Sequence, residues 1–412
     1  MCSSYARIQD ETTRMQHEKL KKIIFQYYGF QFFFSLLIWL PIFYEFQKRI
    51  GLHDVEIFRI QSIYYLVFCF LEIPTGLLAD RWSTKGCMIL GGVLVSLSQL
   101  LPIFAPTYPG MLWHFVALAL ARSLISGASS AYIYEFMSKY DAVKEYKRVE
   151  GKARAYGLYG KVACWTVVGV LMQWQLTAPY WLTFVATGIS VYFALQLPFL
   201  PVAKIPKTEE KIRNLARLRE KILHRPIIFF LILQGVAIFV LGRICQVNLF
   251  QPILVQKQFG LPTFGVVMAM MTLSEALGSA YPHILRRWIT DLNAVFALSL
   301  VMGFTLALIP FVSQMGTLLL LLIFSLAAGI SFPVQRQLIN DAIVGNESRA
   351  TILSVESIVD RAVCAWIAAI LGGYLEKGNL NLFLMASGLA TFVGIVLLYF
   401  GFHYFAGVRR AA

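Results

Sequence analysis

Long apolar runs alternate with short polar breaks along nearly the whole chain, and their length points to membrane helices. A spanning helix needs about 20 predominantly apolar residues, whereas a barrel strand needs only about ten with alternating character. Twelve runs of helical length fall at 24–44, 57–79, 87–105, 111–136, 153–175, 180–200, 226–250, 263–285, 292–311, 316–340, 352–375 and 380–405. They predict an all-α membrane protein of twelve transmembrane helices, because a helix satisfies its backbone hydrogen bonds internally, away from water. One break differs from the rest. Residues 201–225 are highly charged, with prolines near both ends and six runs on either side. The predicted organisation is therefore an N-terminal tail at 1–22, a six-helix bundle at 23–200, a linker at 201–225 and a second six-helix bundle with a short tail at 226–412. Within the linker, Ile212, Leu215, Leu218 and Ile222 recur at helical spacing and predict an amphipathic surface helix.

Composition agrees with the pattern: 58% of the 412 residues are hydrophobic and 14% charged. The net charge of +14 would suit nucleic acid, but its placement excludes that reading. Arg7, Arg14, Lys19, Lys21 and Lys22 precede the first run; Lys139, Lys144, Lys147, Arg148, Lys152 and Arg154 follow the fourth; the linker carries Lys204, Lys207, Lys211, Arg213, Arg217, Arg219, Lys221 and Arg225. The alternate loops near 105–110, 176–180 and 312–316 have no Lys or Arg, so the positive-inside rule predicts a multi-pass inner-membrane protein with both termini cytoplasmic. The first 22 residues lack the apolar core and cleavage site of a signal peptide, and the first span is expected to be retained. The cysteines lie in the tail, in spans or at their cytoplasmic edges, which argues against a disulfide framework. No GxxxxGK[ST] loop occurs, the six histidines are scattered, and no nucleophilic triad can be assembled. Neither enzymatic activity nor a cofactor or resident metal is expected. The expected partners are a small-molecule substrate, protons and the lipid bilayer, with the chain acting as a monomer.

Between the second and third runs stands Gly76-Leu-Leu-Ala-Asp80-Arg81-Trp-Ser83-Thr-Lys85. It resembles the Gly-x-x-x-Asp-Arg-x-Gly-Arg-Arg loop of the major facilitator superfamily, with Gly76, Asp80 and Arg81 matching, Lys85 standing for a later basic residue and Ser83 replacing the second Gly. The resemblance implies two pseudo-symmetric six-helix bundles around a midplane site. It also implies a cytoplasmic latch of Gly76, Asp80, Arg81, Lys85 and Glu135 with the start of the eleventh helix at 346–351. A Gly at position 76 is expected to let helix backbones approach closely. A weak internal echo fits duplication: Glu72 before Arg81-Trp82 against Glu275 before Arg287-Trp288, and Arg148 against Arg349.

Ionisable groups inside spans are expensive and mark function. Arg122 falls about 18 Å from the cytoplasmic end of its span, close to the midplane. Its surroundings, Arg122-Ser-Leu-Ile-Ser-Gly127, are similar to the fourth-helix Arg motif of proton-coupled members of that superfamily. Glu72, Lys161, Glu275 and Arg361 share a depth of about 10–15 Å; the resemblance implies that the second span neighbours the eleventh and the fifth the eighth, which then pairs Glu72 with Arg361 and Lys161 with Glu275. Asp360 and Glu356 add carboxylates, and Arg243 adds a cation toward the outer end of the seventh span; Arg336, near a helix end, is expected to snorkel. Tyr27 and Gln31, one turn apart, are the expected cavity pair of the first span. Together these residues predict a secondary active transporter working by alternating access, a symporter or antiporter coupled to protons. The interior arginines favour an anionic solute such as a carboxylate or carboxylate siderophore. Amphipathic drug efflux is the alternative, supported by 14% aromatic residues but lacking a Gly-Pro motif in the fifth span. A non-transporting membrane receptor or structural partner is the alternative of another class.

Overall fold

The computed structural model describes residues 2–140, 142–200, 226–282, 288–342 and 349–411, with side chains from Glu18 to Tyr404 apart from those at 73, 77, 80, 81, 226, 227 and 349–354. The expected linker helix, the echo residue Arg287, and the side chains of Asp80, Arg81 and Arg349 lie outside the described residues. Among the described residues twelve helices of membrane length follow one another: α1 (Cys2–Ser35), α2 (Asp54–Arg81), α3 (Thr84–Ser98, continued by Leu100–Phe104), α4 (Tyr108–Lys139), α5 (Tyr146–Trp174), α6 (Ala178–Gln196), α7 (Pro226–Arg243, continued to Gln256), α8 (Leu261–Ala280), α9 (Asp291–Leu308), α10 (Gln314–Ala342), α11 (Arg349–Glu376) and α12 (Leu380–Ala411). Eleven helical stretches among the described residues are long and apolar enough to cross a membrane, and the 28-residue α2 is the remaining one.

Local chemistry sets several boundaries. Ser83, the departure from the Gly pattern, is the N-cap of α3: its backbone is extended and its hydroxyl accepts from Gly86 N at 3.1 Å. Thr107 caps α4 in the same way. The Schellman closure of α11 places Gly378 at φ +69°, with Asn379 N donating to Tyr374 O at 2.8 Å. The predicted first span at 24–44 is interrupted: α1 stops at Ser35, and a 3-10 turn over Leu40–Ile42 leads into a short helix, Phe43–Arg49. Pro41 lies in that turn, lacks an N–H and disfavours helical backbone at the residue before it.

The chain packs as two compact units. The first comprises Met1–Trp39, Phe70–Cys164 and Trp174–Lys204; the second comprises Leu40–Cys69, Trp165–Gln173 and Ile205–Ala412. In the first unit, small residues bring helices together, since lipid offers no hydrophobic drive for helix association. A Cβ on Gly91 of α3 would lie 2.6 Å from Ile125 and 2.9 Å from the Ala121 carbonyl of α4. Tyr27, Phe30, Cys87, Leu124, Tyr132 and Ile133 fill the core beside this contact.

In the second unit, Gly278 of α8 and Gly329 of α10 meet back to back, each leaving no room for a methyl, and Ser279 Oγ donates to Gly329 O at 2.9 Å. Residues 40–69 are held to α7 and α11 in this unit by polar bonds, some buried and some partly buried. Gln251 accepts from Tyr44 N at 2.9 Å and donates to Leu40 O at 3.0 Å; Tyr65 OH donates to Asn248 at 2.7 Å; Asp54 N donates to Glu376 at 3.0 Å.

Candidate functional site

Each unit contains its own polar cluster. That of the first unit is built on α1, α4 and α5. Tyr27, fully buried on α1, donates its hydroxyl to Glu150 Oε2 at 2.8 Å and accepts from Gln31 Nε2 at 2.9 Å. Ser130 of α4 donates to the other carboxylate oxygen at 3.1 Å, and Arg154, one turn along α5, comes within 3.5 Å of it. The expected Tyr27–Gln31 pair is thus brought together, but the tyrosine belongs to the core, and its hydroxyl holds Glu150. Arg122 lies on α4 two turns before Ser130, with Ser126 between them, so the three form one stripe. Its side chain is exposed and makes no hydrogen bond or ion pair among the described residues.

The cluster of the second unit rests on α7, α10 and α11. Arg243 ends the regular part of α7, where a π turn over Ile244–Leu249 begins. Such bulges recur at functional sites because the extra residue re-aims side chains. Arg243 Nη2 reaches Asp360 Oδ2 at 3.2 Å, and Arg336 Nη1 reaches Glu356 Oε2 at 2.9 Å. Both carboxylates are buried, and each guanidinium remains partly open. Arg336 also lies over the Phe239 ring. The expectation that it snorkels is corrected, because a buried partner on α11 holds it. Gln246 donates to Glu275 at 2.6 Å. Arg361 donates to Ser357 on its own helix and stands over the Phe68 ring at 4.0 Å.

The other sequence-derived positions are placed as follows. Glu72 and Lys161, both half-buried, belong to the first unit, whereas Arg361 and Glu275 belong to the second. Lys85 does not stay at the water boundary as the loop pattern implies: it is buried, donates to Leu195 O at 2.9 Å and lies over the Phe199 ring, so it closes the last turn of α6. A Cβ on Gly76 would meet nothing within 4 Å among the described residues. Glu135 is exposed on the last turns of α4. Glu150 was missed because it precedes the apolar part of its span and sits among basic residues. Its signal was local: a lone acid between Lys147, Arg148, Lys152 and Arg154, at the start of a helix. Glu356 was noticed as a carboxylate but not as the partner of Arg336.

The geometry can bind and exchange charge. Comparison with known proteins agrees. No curated protein sequence matches the chain. Among solved structures, a variant of the nucleoside transporter NupG aligns with a TM-score of 0.75 at 15% identity, covering 92% of this chain and 99% of that one. A POT family transporter in complex with 5-aminolevulinic acid aligns with a TM-score of 0.70 at 13% identity, covering 93% of this chain and 95% of that one. The profile described as Major Facilitator Superfamily matches residues 23–365. Twelve membrane-length helices without a described strand, charged clusters set inside them and this match over most of the sequence lead to one conclusion: the chain is a non-enzymatic, multi-pass membrane transporter of the major facilitator superfamily.

Proposed function

We propose that the protein carries a small anionic solute, of the carboxylate class, across the inner membrane by alternating access coupled to protons, with both termini cytoplasmic. The observation that carries this reading is Arg122. It stands exposed on α4 in line with Ser126 and Ser130, with no described counter-charge. A permanently charged guanidinium at membrane depth is tolerable where it faces water or an anion, and its planar donors suit a carboxylate. The buried carboxylates Glu356 and Asp360 and the partly buried Glu150 supply candidates for the proton. Gly76, Asp80, Arg81 and Glu135 form the latch in this reading.

The test is uptake into vesicles reconstituted with the full-length protein under an imposed pH gradient. A panel of labelled carboxylates, citrate and lactate included, is compared with ethidium. At least one carboxylate accumulates, and Arg122→Ala abolishes that accumulation while Arg122→Lys retains part of it. Movement of ethidium and of none of the carboxylates would replace this reading with drug efflux.

A further inference from the structure

The Glu356 side chain is 1% exposed, yet only one of its oxygens is engaged, Oε2 with Arg336 at 2.9 Å. Oε1 is buried without a hydrogen-bond partner among the described residues. The backbone has made room for that oxygen, since a Cβ on Gly235 of α7 would lie 2.0 Å from it. An unengaged carboxylate oxygen in a dry interior carries a full desolvation cost. A proton removes that cost without any further side chain.

Arg336 has the opposite character. Its side chain is 41% exposed, one N–H is engaged by Glu356, and the other donors are available. The guanidinium therefore lies between a closed carboxylate and an open side. We propose that Glu356 is the proton-coupling carboxylate of the second unit and that Arg336 is the guanidinium it shares with the transported anion, a role that rests on the anion-transport reading above. A proton from water adds to Glu356 as an O–H, and the ionic N–H···Oε2 bond gives way. The same guanidinium then donates to the incoming carboxylate. Release reverses both steps, so one proton travels with one monoanion and no net charge crosses.

The groups around Glu356 favour it over its neighbour. Arg336 of α10 and Asp360 of α11 are the charged groups that act on Glu356, and Arg243 of α7 and Arg361 of α11 act on Asp360. The described side chains of α12 include no Asp, Glu, Lys or Arg. Asp360 has Arg243, Arg361 and Arg336 acting on it, whereas Arg336 is the cation acting on Glu356. Asp360 Oδ1 is likewise buried without a partner among the described residues, and the room that Gly235 leaves at Glu356 Oε1 singles out Glu356 for the proton.

The experiment treats the full-length protein in lipid nanodiscs with dicyclohexylcarbodiimide, which couples to protonated carboxylic acids in apolar surroundings, and maps the adducts by peptide mass. In the wild type the adduct at Glu356 grows as pH falls. Arg336→Gln extends labelling to higher pH, because the cation that holds the carboxylate ionised is gone. Glu356→Gln loses this adduct. Sodium lactate, as the anion probe, raises labelling at fixed pH by competing for Arg336. Absence of a Glu356 adduct across the pH range, with other carboxyls labelled, overturns the proposal, as does an unchanged pH profile in Arg336→Gln. Wild-type mapping decides the first point even if a variant fails to fold. Labelling that responds to Arg336→Gln but not to lactate upholds the proton site and counts against the anion reading alone.

Discussion

The polar clusters of the two units solve the same problem in different ways. In the first, Glu150 is held by the hydroxyls of Tyr27 and Ser130, its cation is the largely exposed Arg154 of its own helix at 3.5 Å, and Arg122 stands apart without a described partner. In the second, Asp360 and Glu356 are each matched by an arginine from another helix. Neutral hydroxyl donors fix a carboxylate's position without cancelling its charge, whereas an ion pair cancels charge and makes each member depend on the other. Stability is therefore tied to charge in the second unit and only weakly in the first. The first unit leaves its cation open to a ligand, and the second offers one by exchange.

The largest effect expected from this contrast is at Arg243. Arg243→Ala strands the buried Asp360 and lowers stability by on the order of 3 kcal/mol, with water access at the half-open guanidinium reducing the loss. Arg243→Ala with Asp360→Ala recovers more than half of it, read as thermal unfolding in detergent. A double variant no better than the single one would break the comparison, because the pair would then not be the source of the dependence.

Backbone room sharpens the contrast at an intermediate level. Gly235→Ala drives a methyl into Glu356 and costs about 1–3 kcal/mol by overpacking, while Gly127→Ala on α4 meets nothing within 4 Å among the described residues. The latter is neutral or stabilises by up to about 1 kcal/mol, since alanine favours helix. Equal thermal shifts from the two substitutions would show that the two clusters are packed alike.

The smallest stability effect is expected at the most functional position. Arg122→Ala changes unfolding by no more than about 0.5 kcal/mol, because no described bond is lost. Its transport defect is then a loss of binding or coupling rather than of fold. A destabilisation as large as that of Arg243→Ala would mean that Arg122 is a structural cation, and the two units would no longer differ.

Much of this architecture was legible beforehand. Run length gave the helices, because bilayer thickness imposes one length on every span independently of its neighbours. Arg122, Asp360 and Arg243 were visible as charges where charge is costly. Tyr27 and Gln31 were visible as a pair because one helical turn is a local distance. Glu150 was not legible as a site residue: what makes it one is Tyr27 and Ser130, 123 and 20 residues away. Lys85 read as part of a latch because its motif is a loop pattern, and only the end of α6 beside it explains its burial.

The sequence by itself determined the membrane class, the helices and which charges lie within them, since each follows from apolar length and residue type over a few turns. Tertiary structure decided which charge meets which. The rotation of α11 brings Glu356 to Arg336 and Asp360 to Arg243, and the loss of a side chain at Gly235 admits the carboxylate. Helix rotation is set by the summed packing of whole faces, so no local pattern around any one of these residues encodes its partner.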